Sequence, residues 1–144
     1  MSGNTDQTAG ALLARMAPVL DPQDWVYARL PEGTPLPPDV SALMTCQEDE
    51  GLTLIVTPDT AARLGLATDF PCRRITLTVQ SDLDAVGFIA AIATELTRHG
   101  ISCNVVAGFH HDHLLVPQDR AGEAMDVLKA LSRSNSIDAA PDRP

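Results

Sequence analysis

Apolar and polar residues alternate from Ile75 to Gln80, with Ile75, Leu77 and Val79 set against Thr76, Thr78 and Gln80. A period of two predicts a half-buried strand over residues 73–80. The period then changes. Ala85, Ile89, Ile92 and Leu96 recur at helical spacing, predicting a helix that runs from the turn Ser81, Asp82, Leu83, Asp84 to His99 with this stripe inward. Ser81 and Asp84 fit a capping box, and Gly100 is placed as a positive-φ stop. Ile101, Cys103, Val105 and Ala107 alternate inward along a second strand, Gly108 opens a hairpin, and residues 113–116 return as a third. Pro117, Gln118 and Asp119 open a last helix, with Ala121, Ala124, Met125, Leu128 and Leu131 inward, which ends at Arg133.

Upstream, residues 1–8 are polar and expected to be loose. Leu12, Leu13, Met16, Val19 and Leu20 predict a short helix over 9–20 lying on the core, bent or ended by Pro18 and broken by Asp21 and Pro22. Residues 25–30, WVYARL, have the aromatic and β-branched character of a strand, with Trp25 as a packing anchor. Four prolines and a glycine between Leu30 and Ser41 make a connecting loop. Residues 43–48 and 52–56 flank Asp49, Glu50 and Gly51 as a hairpin. Thr57, Pro58 and Asp59 are then start signals for a short helix closing at Gly65. Sliding the chain by sixty residues sets Leu54, Ile55, Val56, Asp59 and Ala61 on Leu114, Leu115, Val116, Asp119 and Ala121. Two related units follow: an N-terminal arm and short helix at 1–21, a first, degenerate unit at 22–72, a second at 73–133, and a disordered tail at 134–144.

Composition narrows this picture. At 144 residues, two half-sized units must share a core, since a domain below about 60 residues buries too little surface alone. With 44% apolar residues and 3% aromatic, that core is aliphatic. A net charge of −9, with only Arg73 and Arg74 adjacent among the basic residues, argues against a nucleic-acid partner; the arginine pair is expected to solvate an edge. Cys46, Cys72 and Cys103 show no CxxC or zinc-like spacing. The N-terminus lacks signal-peptide character, and no apolar run reaches the roughly 18 residues that span a bilayer. A cytoplasmic protein without a membrane partner is expected.

Residues 76–106, TLTVQSDLDAVGFIAAIATELTRHGISCNVV, resemble an ACT domain. The polar turn after the first strand, the Gly87-Phe88 pair and the helix closing into Ile101 and Ser102 carry the resemblance. ISCNVVAGFHHDHLLVP is similar to stand-alone tandem-ACT proteins of largely unassigned role, themselves similar to aspartate kinase regulatory ends and cytosolic arginine sensors. The resemblance covers residues 20–133. It implies an α+β fold of two ferredoxin-like βαββαβ units packed together, the first lacking its opening helix, with antiparallel sheets and helices on one face. Two departures stand out. Nothing beyond Arg133 reads as the fourth strand of the second unit, so that position is empty or filled by another segment, and the Pro-rich loop replaces the first unit's opening helix. No kinase, dehydrogenase or DNA-binding domain is expected beside the two units.

The resemblance places a ligand where the turn after the first strand meets the start of the next helix. The amides of Leu83, Asp84, Ala85, Val86 and Gly87 are then unpaired donors for an α-carboxylate, and Asp82 or Asp84 can receive an ammonium group. Gly87 leaves the backbone open, and Ser102 and Asn104 on the facing strand can add polar contacts. The same residues also suit plain helix capping, with Gly87 there for close packing. His110, His111, Asp112 and His113 form a second cluster, in which His111 and His113 share a strand face and can chelate a metal. No HExxH, P-loop, GxGxxG or GxSxG accompanies them. The expected function is a regulatory module that binds a free amino acid or similar small polar ligand, with no catalytic activity, metal or cofactor, acting on a separate protein or through a homodimer. The alternatives are a metal-binding protein or metal-dependent enzyme using the histidine hairpin, and a ligand-free interaction module using an exposed sheet face or edge.

Overall fold

A computed structural model describes residues 6–138. One antiparallel sheet of six strands organises them. In chain order the elements are α1 (Ala9–Arg15), β1 (Pro18–Pro31), β2 (Met44–Glu48), β3 (Gly51–Val56), α2 (Pro58–Leu64), β4 (Thr68–Leu77), α3 (Phe88–Arg98), β5 (Asn104–Ala107), β6 (Asp112–Pro117), a single 3-10 turn (Gln118–Arg120) and α4 (Ala121–Asp138). Across the sheet the order is β2-β3-β1-β4-β6-β5.

This order answers what completes the second unit. A βαββαβ unit sets its strands in spatial order 4-1-3-2, and β4, β5 and β6 supply positions 1, 2 and 3. The remaining place beside β4 is taken by β1, which pairs from Pro18 opposite Leu77 to Ala28 opposite Thr68. In the first unit β1 is the opening strand and β4 the closing one. Each central strand therefore serves both units.

Strand β1 is much longer than residues 25–30, because neither proline ends it. The ladder shifts register between Leu20 and Asp24, and a bulge at Pro22 removes the need for its missing N–H. The expected helix over 9–20 stops at Arg15 for a related reason. Ala17 takes φ 40 ahead of Pro18, which turns Val19 and Leu20 into the strand. Arg73 and Arg74 lie in central β4 and not on an edge. Arg73 donates from Nε and Nη2 to the Asp21 carbonyl at 3.0 and 2.7 Å. Arg74 Nη2 reaches the Asp21 carboxylate at 2.8 Å, which also accepts the Trp25 indole at 3.2 Å. Burial alone pushes the Asp21 carboxyl up, but the Gln23 amide, the Trp25 indole and Arg74 together hold it below its usual value.

The sheet face under the helices carries two clusters. Leu12 and Leu13 of α1, with Met16 at its C-cap, join Ile75, Leu77, Phe88, Ile92, Leu96, Leu114, Val116 and Leu128 in the larger one. Val26, Ala28, Leu30, Leu54, Val56 and Ala61 form the smaller. The sixty-residue repeat is visible here: Leu54, Ile55, Val56, Leu114, Leu115 and Val116 are all fully buried. Opposite the helices, Ile55, Cys72 and Leu115 are buried among Trp25, Tyr27, Met44, Phe70 and Val106.

Three further boundaries differ from the sequence reading. Strand β4 begins at Thr68 and ends at Leu77, although the Thr78 and Val79 amides still reach Ala17 and Met16 carbonyls. Val105 and Ala107 are exposed rather than inward, because β5 is an edge strand with one neighbour. Helix α4 continues past Arg133 to Asp138; the rest of the expected tail, like residues 1–5, lies outside the described residues. No described helix is long and apolar enough to cross a membrane.

Candidate functional site

The segment between β4 and α3, residues 78–87, is the polar turn on which the sequence places a ligand. It is not the first turn of a helix. Ser81 is 6% exposed, and its hydroxyl donates at 2.7 Å to the Asp112 carboxylate, itself 8% exposed. A buried hydroxyl must be satisfied, and a carboxylate acceptor makes a stronger bond than an amide cap. The capping box is therefore overruled. Helix α3 starts seven residues later, at Phe88, with Gly87 as N-cap at φ 93 and no side-chain cap. Gly87 is needed for that left-handed turn; a Cβ there would meet only Ala9, at 3.5 Å.

The consequence is a loop with open main-chain groups. Within residues 83–87 the main-chain hydrogen bonds of the described residues are Ala85 N–H to Asp82 O and Ala91 N–H to Gly87 O, both 3.0 Å. The amides of Leu83, Asp84, Val86 and Gly87 have no protein acceptor among the described residues. Leu83 and Val86 are 68% and 87% exposed. Above the loop lies an open cleft of about 550 Å3, lined by Asp6, Gln7, Thr8, Asp82, Asp84, Ala85 and Val86. Asp6, Asp82 and Asp84 thus line the same cleft as Val86.

Seven of the nine sequence-predicted residues, Ser81, Asp82, Leu83, Asp84, Ala85, Val86 and Gly87, share this loop. Ser102 and Asn104 are not brought to it. Asn104 pairs with Leu115, at the opposite end of the β5/β6 ladder from the Ala107/Asp112 pair that adjoins Ser81. The sequence reading missed Asp112, taken as part of the histidine cluster, and the arm residues Asp6, Gln7 and Thr8, taken as loose. One signal was present: Thr8 is an N-cap for α1, accepting the Ala11 amide at 3.4 Å.

His111 and His113 are tied individually. His111 Nδ1 lies 3.4 Å from the Val79 carbonyl, and His113 Nδ1 lies 2.9 Å from Thr76 Oγ1. Among the described residues no three His, Cys, Asp or Glu side chains form a metal-ligand set. Burial lowers the His113 pKa from its ordinary 6.5, assisted by Arg74 and His111 and opposed by Asp112. The folded state thus resists a proton that the unfolded chain accepts, so His113 favours folding above pH 6.5 and this contribution is lost as pH falls through 6.5 toward the folded value. Urea unfolding of wild type and His113→Gln between pH 8 and 5 is expected to show a steeper fall for wild type below pH 6.5; parallel curves would contradict it.

Residues 7–73 and residues 69–130 each match an ACT domain. The overlap falls in β4, the strand both units use. A protein of unknown function from Vibrio cholerae, described as a possible transport protein, is 38% identical, with 84% of this chain and 93% of that one covered at a TM-score of 0.74. A protein from Agrobacterium tumefaciens is 22% identical over 76% of this chain and 84% of its own, at a TM-score of 0.65. The regulatory subunit of aspartate kinase from Thermus flavus is 10% identical over 79% of this chain and 95% of its own, at a TM-score of 0.56; these two share the fold. No curated protein matches the chain. With a match on each half and one strand counted in both, the chain belongs to the ACT domain family.

Proposed function

We propose that this regulatory ligand-binding module takes a free amino acid in the cleft over residues 80–87. The observation that carries the reading is the pairing of open main-chain donors with carboxylates. The amides of Leu83, Asp84, Val86 and Gly87, together with the uncapped start of α3, suit an α-carboxylate. Asp82 and Asp84 line the same cleft and suit an ammonium group. A zwitterion presents both charges, whereas a simple anion meets three carboxylates uncompensated. The module acts without catalysis of its own, on a separate protein or through a homodimer. Three free thiols, Cys46, Cys72 and Cys103, suit a reducing cytoplasm.

Thermal denaturation against a panel of the common amino acids tests this. Ligand at a hundredfold excess over Kd adds about 2.7 kcal/mol to native stability, which for a chain of this size raises Tm on the order of 5–10 °C. Asp82→Ala is expected to weaken the response at least tenfold. A flat panel at millimolar concentration would remove the reading.

A further inference from the structure

Residues 81–87 carry two incompatible instructions, and the structure follows one of them. As a capping box, Ser81 accepts the Asp84 amide, Asp82 and Asp84 occupy a first turn where the helix dipole favours carboxylates, and α3 begins at Asp82. In the structure the Ser81 hydroxyl donates to Asp112 at 2.7 Å, Gly87 stands at φ 93, and α3 begins at Phe88.

Little else separates the two arrangements. Ala85 packs against the larger core, and its spacing from Phe88 and Ile89 sets it on the face that a continued helix turns inward. Its amide already closes one turn onto the Asp82 carbonyl at 3.0 Å, an i→i−3 bond of the kind found at helix ends. Leu83 and Val86 are exposed and fall outside the inward stripe of a continued helix, so burial of these two favours neither form. Gln7 holds the main chain on both sides of Ser81, accepting the Asp82 amide at 2.8 Å and donating to the Gln80 carbonyl at 3.4 Å. The first amide of a helix has no partner within it, so these bonds suit both forms. The difference is confined to the Ser81 side chain and the backbone of residues 83–87.

We propose that residues 82–87 are a two-state switch latched by Ser81: bound to Asp112, its hydroxyl holds the open loop, and released, it caps an α3 lengthened to Asp82. In the helical form the Val86 and Gly87 amides bond to the Asp82 and Leu83 carbonyls, and the Asp84 amide bonds to Ser81. Three of the four open donors are then spent. Release also leaves the Asp112 carboxylate, 8% exposed, without that donor, and puts a glycine inside a helix, so the loop form predominates. The switch goes beyond the ligand reading and stands without it.

Backbone chemical shifts and amide hydrogen exchange of the full chain test it, on wild type, Gly87→Ala and Asp112→Ala. Gly87→Ala is expected to move the equilibrium toward the helix by about tenfold or more, since alanine disfavours a left-handed φ and favours a helix interior. The Cα shifts of residues 83–87 then turn helical, and the amides of positions 86 and 87 exchange more slowly than in wild type. Asp112→Ala, which frees the latch, is expected to act in the same direction with glycine in place. Adding Ser81→Ala to either variant is expected to reverse the change. If residues 83–87 stay non-helical in both single variants, with Gly87→Ala only losing stability to strain, the switch is overturned. Helical shifts in Gly87→Ala alone, or shifts that persist after Ser81→Ala, would overturn Ser81 as its latch.

Discussion

Replacing Phe88 by alanine is expected to lower the unfolding free energy by about 3–5 kcal/mol, the range for truncating a buried aromatic. Phe88 is 2% exposed and is the first residue of α3, directly after Gly87. It belongs to the same buried cluster as Leu12, Met16, Ile75, Leu77, Ile92 and Leu114, so its loss leaves a cavity in the larger core. The effect reaches the candidate site, because Phe88 in the core anchors one end of residues 81–87, as Ser81 on Asp112 anchors the other. Urea unfolding is expected to show an unchanged m value and a displaced midpoint, with amino-acid binding reduced as well. Val86→Ala, two residues earlier and 87% exposed, serves as control and is expected to stay within about 0.5 kcal/mol. A cost below about 1 kcal/mol for Phe88→Ala would mean that the start of α3 is not where the core places it.

Leu12→Ala is expected to cost about 2–5 kcal/mol, a large penalty for one position in a seven-residue helix near the N-terminus. Such a helix has little stability of its own, since isolated helices shorter than about 12–15 residues are marginal in water. Its place comes from packing: Leu12 and Met16 are fully buried, and Ser132 on α4 donates to the Ala14 carbonyl at 3.1 Å. Helix α1 delivers the chain into β1 and so belongs to the second unit's core although it precedes the first. Val19→Ala, 54% exposed at the start of β1, is expected to be near neutral. If both variants were equally mild, α1 would be a surface appendage.

Much of the fold was legible because local chemistry and tertiary context agree. The hairpin of β2 and β3, the Thr57 and Pro58 start of α2, its Gly65 stop at φ 64, and the inward stripe of α4 all follow from residues a few positions apart. So do the clusters that recur sixty residues apart, since the same apolar triplet is buried in β3 and in β6. The two-unit α+β architecture rests on these features, and the ACT resemblance on the polar turn at residues 80–84, the Gly87-Phe88 pair and the helix closing into Ile101 and Ser102.

The candidate site was legible as a segment and not as a geometry. Ser81 and Asp84 spell a capping box, and no local rule reveals that Asp112, thirty-one residues away, outbids the helix for the serine hydroxyl. Gln7 lies seventy-five residues from Asp82, and Ser102 and Asn104 are separated from the loop by the register of the β5/β6 ladder. The sequence by itself determined the order of strands and helices, the bounds of the β2-β3 hairpin and of α2, and which segment carries the open polar groups, because those properties depend on neighbours in the chain. Only the tertiary structure decided that β1 closes the second unit, that α3 starts at Phe88, and that the arm borders the cleft with Gln7 on the Asp82 amide, because each depends on which distant polar group or apolar face is nearest once the sheet has formed.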